Sequence, residues 1–209
     1  MTQIPLRIDA PKGRNPGPTI ILAHGAGAGM DSPFMQEMAE ALAAGSLRVV
    51  RFEFPYMQES RKIRTWSRPD PTRVLGETWI RVIEQVGNAE DLVIGGKSMG
   101  GRIASMVADK VGARGLVCLG YPFHPAGKPD ALRVAHLEKL KTKTLILQGT
   151  RDTLGSKQDI AGYTLSPAIK VVFLEDGDHS FKPRKSSGRT YEQNFQEAVQ
   201  AIAGFCQTV

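Results

Sequence analysis

The sequence predicts an α/β protein built on a doubly wound, mostly parallel sheet. Short apolar runs alternate with segments whose apolar residues recur at helical spacing along all 209 residues. Those short runs are continuously hydrophobic rather than alternating, as strands covered on both faces are. Glycine-rich or polar loops follow them, and in such sheets ligands collect beyond the C-terminal strand ends.

Residues 19–23 (TIILA) form the first of these runs, which ends in the loop 24–29 (HGAGAG). Asp31, Ser32 and Pro33 open a helix, carried by Phe34, Met35, Met38, Ala39 and Leu42 and stopped by Gly45. A strand over 47–54 follows. Residues 55–71, with three prolines and no clean period, read as a long loop. A helix over about 72–86 puts Val74, Leu75, Trp79, Val82, Ile83 and Val86 on one face. Next come a strand at 91–96, a helix near 100–111, a strand at 115–120, a proline-rich loop and a short helix near 131–139. Strands at 144–149 and 170–174 precede a final helix at about 190–206, with Tyr191, Phe195, Ala198, Val199, Ile202 and Phe205 on one side. The length suits one domain over 1–209.

With 41% hydrophobic residues, disorder is excluded, and 22 Gly and 13 Pro without a repeat exclude a collagen-like chain. No apolar run approaches the ~18 residues of a membrane span, and 1–18 lack the apolar centre of a signal peptide. Cys118 and Cys206 read as reduced core thiols, so a cytoplasmic protein is expected. The net charge of +6 is local in origin. Arg61, Lys62, Arg64, Arg68 and Arg73 face only Asp70 over 61–73, and Lys182, Arg184, Lys185 and Arg189 crowd 182–189. Neither stretch matches a nucleic-acid module. The second is expected to attract an anionic group on a small acyl substrate.

Gly96-Lys97-Ser98-Met99-Gly100 matches G-x-S-x-G, and it falls between an apolar strand and a helix with Ile103, Met106, Val107 and Val111 on one face. A turn that sharp exposes the serine hydroxyl near a helix N-terminus, where developing negative charge is favoured. A serine needs a base held by an orienting group. Of the four histidines, His24 sits in the first loop, His124 in the proline-rich loop and His136 in the short helix. His179, in the polar loop 175–181 after the last strand, has the position of a general base. Asp152, after strand 144–149, suits the orienting carboxylate. Asp176 and Asp178 lie too near His179 in sequence to reach its far nitrogen easily, and Asp130 is a distant rival. The chain order Ser98, Asp152, His179 is that of α/β-hydrolases. Oxyanion donors are expected from the backbone N–H of Met99 and of Ala26, with Gly27 as second choice. No metal-ligand spacing or cofactor motif occurs, so neither a metal nor a cofactor is expected.

The segments HGAGA, GGKSMGGR, GYPFHPAGKP, LQGTRD and DGDHSF together resemble the α/β-hydrolase superfamily over nearly the whole chain. Within it they resemble a compact subgroup of bacterial hydrolases related to a testis-expressed protein and to a subunit of a chromatin acetyltransferase complex. The chain is more loosely similar to dienelactone hydrolases, which carry cysteine where Ser98 stands. The resemblance implies a minimal hydrolase fold without a large lid domain and a Ser-His-Asp site. The expected activity is cleavage of an ester, thioester or related acyl bond. A non-catalytic scaffold on the same fold, a peptidase and an acyltransferase are the alternatives. Tyr56, His124, Phe181, Arg184 and Lys185 are the candidate pocket residues. Only 55–71 and 120–143 are free to cover the site, so an open, shallow pocket is expected; oligomeric state is not legible.

Overall fold

Seven strands among the described residues form one sheet: β1 (Leu6–Asp9), β2 (Thr19–Ala23), β3 (Arg48–Phe52), β4 (Leu92–Lys97), β5 (Gly115–Leu119), β6 (Thr144–Gly149) and β7 (Ile169–Leu174). The structure is a computed structural model and describes residues 3–11 and 17–209. Strand order is β1-β3-β2-β4-β5-β6-β7, with β1 antiparallel to β3 and every other pair parallel. The helices are α1 (Pro33–Ala44), α2 (Pro55–Ile63), α3 (Thr72–Val86), α4 (Met99–Val111), α5 (Lys157–Ile160) and α6 (Tyr191–Thr208).

The continuous apolar runs are explained by two cores, one on each face. Along β2, Ile20 and Leu22 enter the core shared with α1 and α6, while Ile21 and Ala23 enter the one shared with α3 and α4. Trp79 of α3 is fully buried, with its ring centroid 4.8 Å from that of Phe52. The chain runs from β2 outward to β3, then crosses back over β2 to β4 and continues the other way. The reversal therefore lies between β2 and β4, the crevice where doubly wound sheets bind ligands. Register places Ala23 beside Gly96 there, so the loop after β2 and the turn after β4 are neighbours.

Two expectations fail, and one strand is additional. Residues 55–71 contain helix α2 rather than only loop. Pro55 begins it, and Arg64 ends it in the left-handed conformation at φ 53°. Only Tyr56 and Met57 of this helix are buried, too narrow a stripe to show a period. The helix expected near 131–139 shrinks to one 3-10 turn, Leu137–Lys139. Its upstream part bonds to a neighbouring loop instead: Arg133 N–H donates to Phe123 O and the Tyr121 hydroxyl to Arg133 O. Strand β1 went unread because its residues are at most half-buried, so it carries little hydrophobic signal. It is anchored by Asp9, which accepts from the fully buried Arg51 guanidinium at 2.7 Å.

Candidate active site

Ser98 sits at the junction of β4 and α4 with φ 51° and ψ −114°, a conformation that costs a non-glycine residue roughly 1–3 kcal/mol. Its neighbours hold it there. Ser98 N–H donates to Leu119 O at 3.0 Å. Gly96 and Gly100 lie so close to β2 that a Cβ would stand 2.2 Å and 2.5 Å from Ala23 O. The serine spacing within glycines thus reflects the approach of two backbones, and it lifts the hydroxyl clear of the sheet.

The loops after β6 and β7 meet it. His179 Nε2 lies 2.9 Å from Ser98 Oγ, and His179 Nδ1 lies 2.7 Å from Asp152 Oδ2. Asp152 is fully buried and accepts two more hydrogen bonds, from Gln148 Nε2 at 2.9 Å and from Leu154 N–H at 2.8 Å. Gln148 is not among the residues to which the sequence points. It is also fully buried; its Oε1 accepts from Tyr121 N–H and its Nε2 also faces Tyr121 O and Gly155 O, so it joins the ends of β5 and β6. A glutamine at the end of an apolar strand run, four residues before an aspartate, was the one visible signal. Asp178 caps the histidine loop instead of facing the imidazole, accepting from Ser180 N–H and Lys182 N–H.

The loop 24–30 is anchored at both ends. Burial lowers the His24 pKa, and its neutral ring receives Phe54 N–H at Nε2 while Nδ1 faces Gly25 O at 2.7 Å. The Tyr56 hydroxyl donates to Ala26 O at 3.0 Å and lies 3.3 Å from Gly25 O. Burial, with Asp70 and Glu53 near, pushes the phenol above its ordinary range, so it stays a donor. Met30 is held from both sides, its N–H by Glu53 and its carbonyl by Arg51. In a trans peptide the carbonyl and the next N–H point opposite ways. With the Gly25 and Ala26 carbonyls turned to Tyr56, the N–H groups of Ala26 and Gly27 face away from it.

A cavity of about 390 Å³ opens beside Ser98 and His179. Its walls are the 25–28 backbone, Phe34 and Met35 at the start of α1, and Lys97. Neither 55–71 nor 120–143 lines it, so the first turn of α1 takes the part expected of those segments. A larger cavity of about 580 Å³ lies near Asp9, Glu40 and Ser46, and none of the residues just described lines it.

Ser98, Asp152, His179, Met99, Ala26 and Gly27 are brought together, whereas the five candidate pocket residues are not. Tyr56 is buried behind the loop, His124 is 5% exposed with Nδ1 against Pro125 O, and Phe181 is fully buried in the α1–α6 core. Arg184 is taken up by Asp176, which accepts from its backbone N–H and its guanidinium and is thereby held down to about 2. Lys185 lies on an exposed 3-10 turn. The 61–73 stretch is also partly neutralised, with Arg61 paired to Glu53 and Asp31, Lys62 to Glu59 and Arg73 to Glu77. A second serine–histidine contact, Ser105 Oγ to His136 Nε2 at 2.8 Å, lies outside the cavity and has no carboxylate partner among the described residues. It ties the 131–139 segment to α4.

No group of His, Cys, Asp and Glu among the described residues has metal-binding geometry, and no described helix is long and apolar enough to cross a membrane. A family model described as an alpha/beta hydrolase domain matches residues 16–207. Among solved structures, an alpha-beta serine hydrolase homologue from Coxiella burnetii matches with TM-score 0.71 at 19% identity, covering 96% of this chain and 90% of that one. A dienelactone hydrolase from Anabaena variabilis matches at TM-score 0.67 and 18% identity, over 97% and 90% of the two chains. A lidless serine hydrolase from Xanthomonas campestris matches at TM-score 0.59 and 18% identity, over 97% and 85%. At these identities the likeness shows the fold alone, which in this chain is a seven-stranded, mostly parallel sheet with flanking helices and no large lid.

Proposed function

Because the chain belongs to the alpha/beta hydrolase domain family, we propose that it is a cytoplasmic serine hydrolase cleaving an ester, thioester or related acyl bond of a small molecule. The observation that carries this reading is the unbroken line of hydrogen bonds from Asp152 through His179 to Ser98 Oγ, at the rim of a cavity of about 390 Å³. Ser98 Oγ attacks the substrate carbonyl while His179 Nε2 takes its proton, and Asp152 stabilises the imidazolium. The oxyanion is held by the N–H of Met99, at the start of α4, and by that of Ala26, with Gly27 beside it. Collapse expels the leaving group, protonated by His179. Water then attacks the acyl-enzyme with His179 again as base, releasing the acid and restoring Ser98.

A fluorophosphonate probe should label the wild-type chain covalently and leave Ser98→Ala unlabelled, with mass spectrometry placing the adduct on the peptide containing Ser98. A folded wild-type protein that resists the probe at pH 7–8 would remove the hydrolase reading and favour the scaffold alternative.

The orientation of the 25–27 peptides supports Tyr56 as a positioning residue. Tyr56→Phe keeps the ring but frees the two carbonyls it holds, so the donors lose their fixed aim at the oxyanion. We expect kcat to fall roughly 10- to 100-fold with KM nearly constant, below the 10²–10³ of losing a donor outright. Affinity for a boronic acid that mimics the tetrahedral state should fall in parallel. An unchanged kcat in a variant of unchanged melting temperature would discard this role.

A further inference from the structure

Lys97, the residue before Ser98, is a cation in the wall of the proposed active-site cavity with most of its hydrogen-bonding capacity unspent. Its ammonium donates to His179 O at 2.6 Å. An ammonium carries three N–H donors; no second acceptor and no carboxylate within 4.0 Å meets this one among the described residues. On its other sides stand the Phe34 ring, with its centroid 5.6 Å away, and Gly120, where a Cβ would come within 3.0 Å of Nζ. A side chain at position 120 would therefore fill the space the ammonium uses. The charged and titratable groups around it are Asp152 after β6 and Asp178 and His179 after β7, while α1 contributes only the aromatic ring. A cation so enclosed loses hydration that two distant carboxylates do not restore.

We propose that Lys97 is the substrate-recognition residue for an anionic group, so that the favoured substrate carries a carboxylate within a few bonds of the scissile ester or thioester. This rests on the hydrolase reading above and gives the substrate a chemical class. It also moves the site of anion recognition away from Arg184 and Lys185, which do not line the cavity. A carboxylate entering beside Ser98 meets a positive charge with donors free, between walls that are otherwise largely apolar. The same contact fixes the histidine loop, because the ammonium bridges His179 O and the bound anion.

Burial sets a pH limit on this device. Desolvation pushes the Lys97 ammonium down to about 8 from its usual 10.5, against the opposing pull of Asp152 and Asp178. The residue is charged below that value and neutral above it, so preference for anionic substrates is present at pH 7 and fades as pH rises past about 8.

The experiment compares matched esters. Monomethyl glutarate and dimethyl glutarate test a carboxylate on the acyl side; the acetate ester of 4-hydroxybutyrate and its methyl ester test one on the alcohol side. In one of the two pairs, wild type should favour the anionic member roughly 10- to 100-fold in kcat/KM at pH 7. That ratio should collapse at pH 9.5, and in Lys97→Met at pH 7. If neither pair shows a preference, or if Lys97→Met slows charged and neutral esters alike, the proposal is overturned and Lys97 serves only to tether His179. The wild-type ratio and its pH dependence need no variant, so misfolding of Lys97→Met leaves the test intact. Fluorophosphonate labelling separates the two readings: a labelled enzyme without charge preference loses this inference alone, while an unlabelled one loses the hydrolase reading.

Discussion

Asp152→Asn is expected to lower kcat about 10⁴-fold while leaving the fold in place, the scale seen when a triad histidine is held in the wrong tautomer. The carboxylate accepts from three directions: His179 Nδ1 and Gln148 Nε2 at Oδ2, and Leu154 N–H at Oδ1. An asparagine has one acceptor oxygen and one donor nitrogen in place of two acceptors. If the amide nitrogen takes the Oδ2 position, it confronts the Gln148 donor and forces His179 Nδ1 to accept. His179 Nε2 then carries the proton and cannot remove one from Ser98. If the amide turns over, its nitrogen faces Leu154 N–H, and the neutral oxygen left at His179 Nδ1 no longer supplies the charge that stabilises the imidazolium. Either way a buried donor goes unmatched, at a cost of about 1–3 kcal/mol. Rate and melting temperature should be measured together. A variant within tenfold of the wild-type kcat would show that Asp152 does not set the tautomer.

The residues of the proposed triad stand out in the sequence because each lies at or just after the end of a strand run, and such ends are legible in a chain of buried parallel strands. Ser98 carries flanking glycines that no packing argument other than close backbone approach explains. Gln148 illustrates the opposite case. Its hydrogen bonds join segments 27 residues apart, and such long-range contacts leave no periodic trace. The candidate pocket residues fall outside the cavity for a related reason. Tyr56, Phe181 and Arg184 flank site loops in sequence, yet tertiary packing turns the first two inward and gives the third to Asp176. Lys97 carries no sequence signal of a site residue, because it occupies the variable position of G-x-S-x-G and only the fold lays the histidine loop against it. Helix α2 escaped for want of an apolar stripe, although it delivers both Tyr56 behind the loop and Arg61 to Glu53.

Gly100→Ala should damage stability and rate together. At an ordinary helical position the change would help by about 1 kcal/mol, since alanine favours helix over glycine. Here the new Cβ would stand 2.5 Å from Ala23 O and 2.7 Å from both Ala23 C and His24 O. All three are backbone atoms of β2 and its loop, held by pairing with β3 and β4, so none can swing aside as a side-chain tip would. Overpacking of this kind costs about 1–3 kcal/mol and sometimes more, which outweighs the propensity gain. With backbone contacts this short the upper part of that range applies, and a net loss of roughly 1–2 kcal/mol lowers the melting temperature by about 2–8 °C for a chain of this size. The first turn of α4 must back away from β2 to relieve the contact. Met99 N–H then separates from the Ala26 and Gly27 peptides, and kcat should drop roughly 10²–10³-fold, as for loss of one oxyanion donor. Gly27→Ala is the stability control, because among the described residues no atom beyond its chain neighbours lies within 4 Å of its added Cβ. Its melting temperature should match wild type. If Gly100→Ala melted with it, α4 would not be wedged against β2, and the glycine after Met99 would have no steric reason to be there.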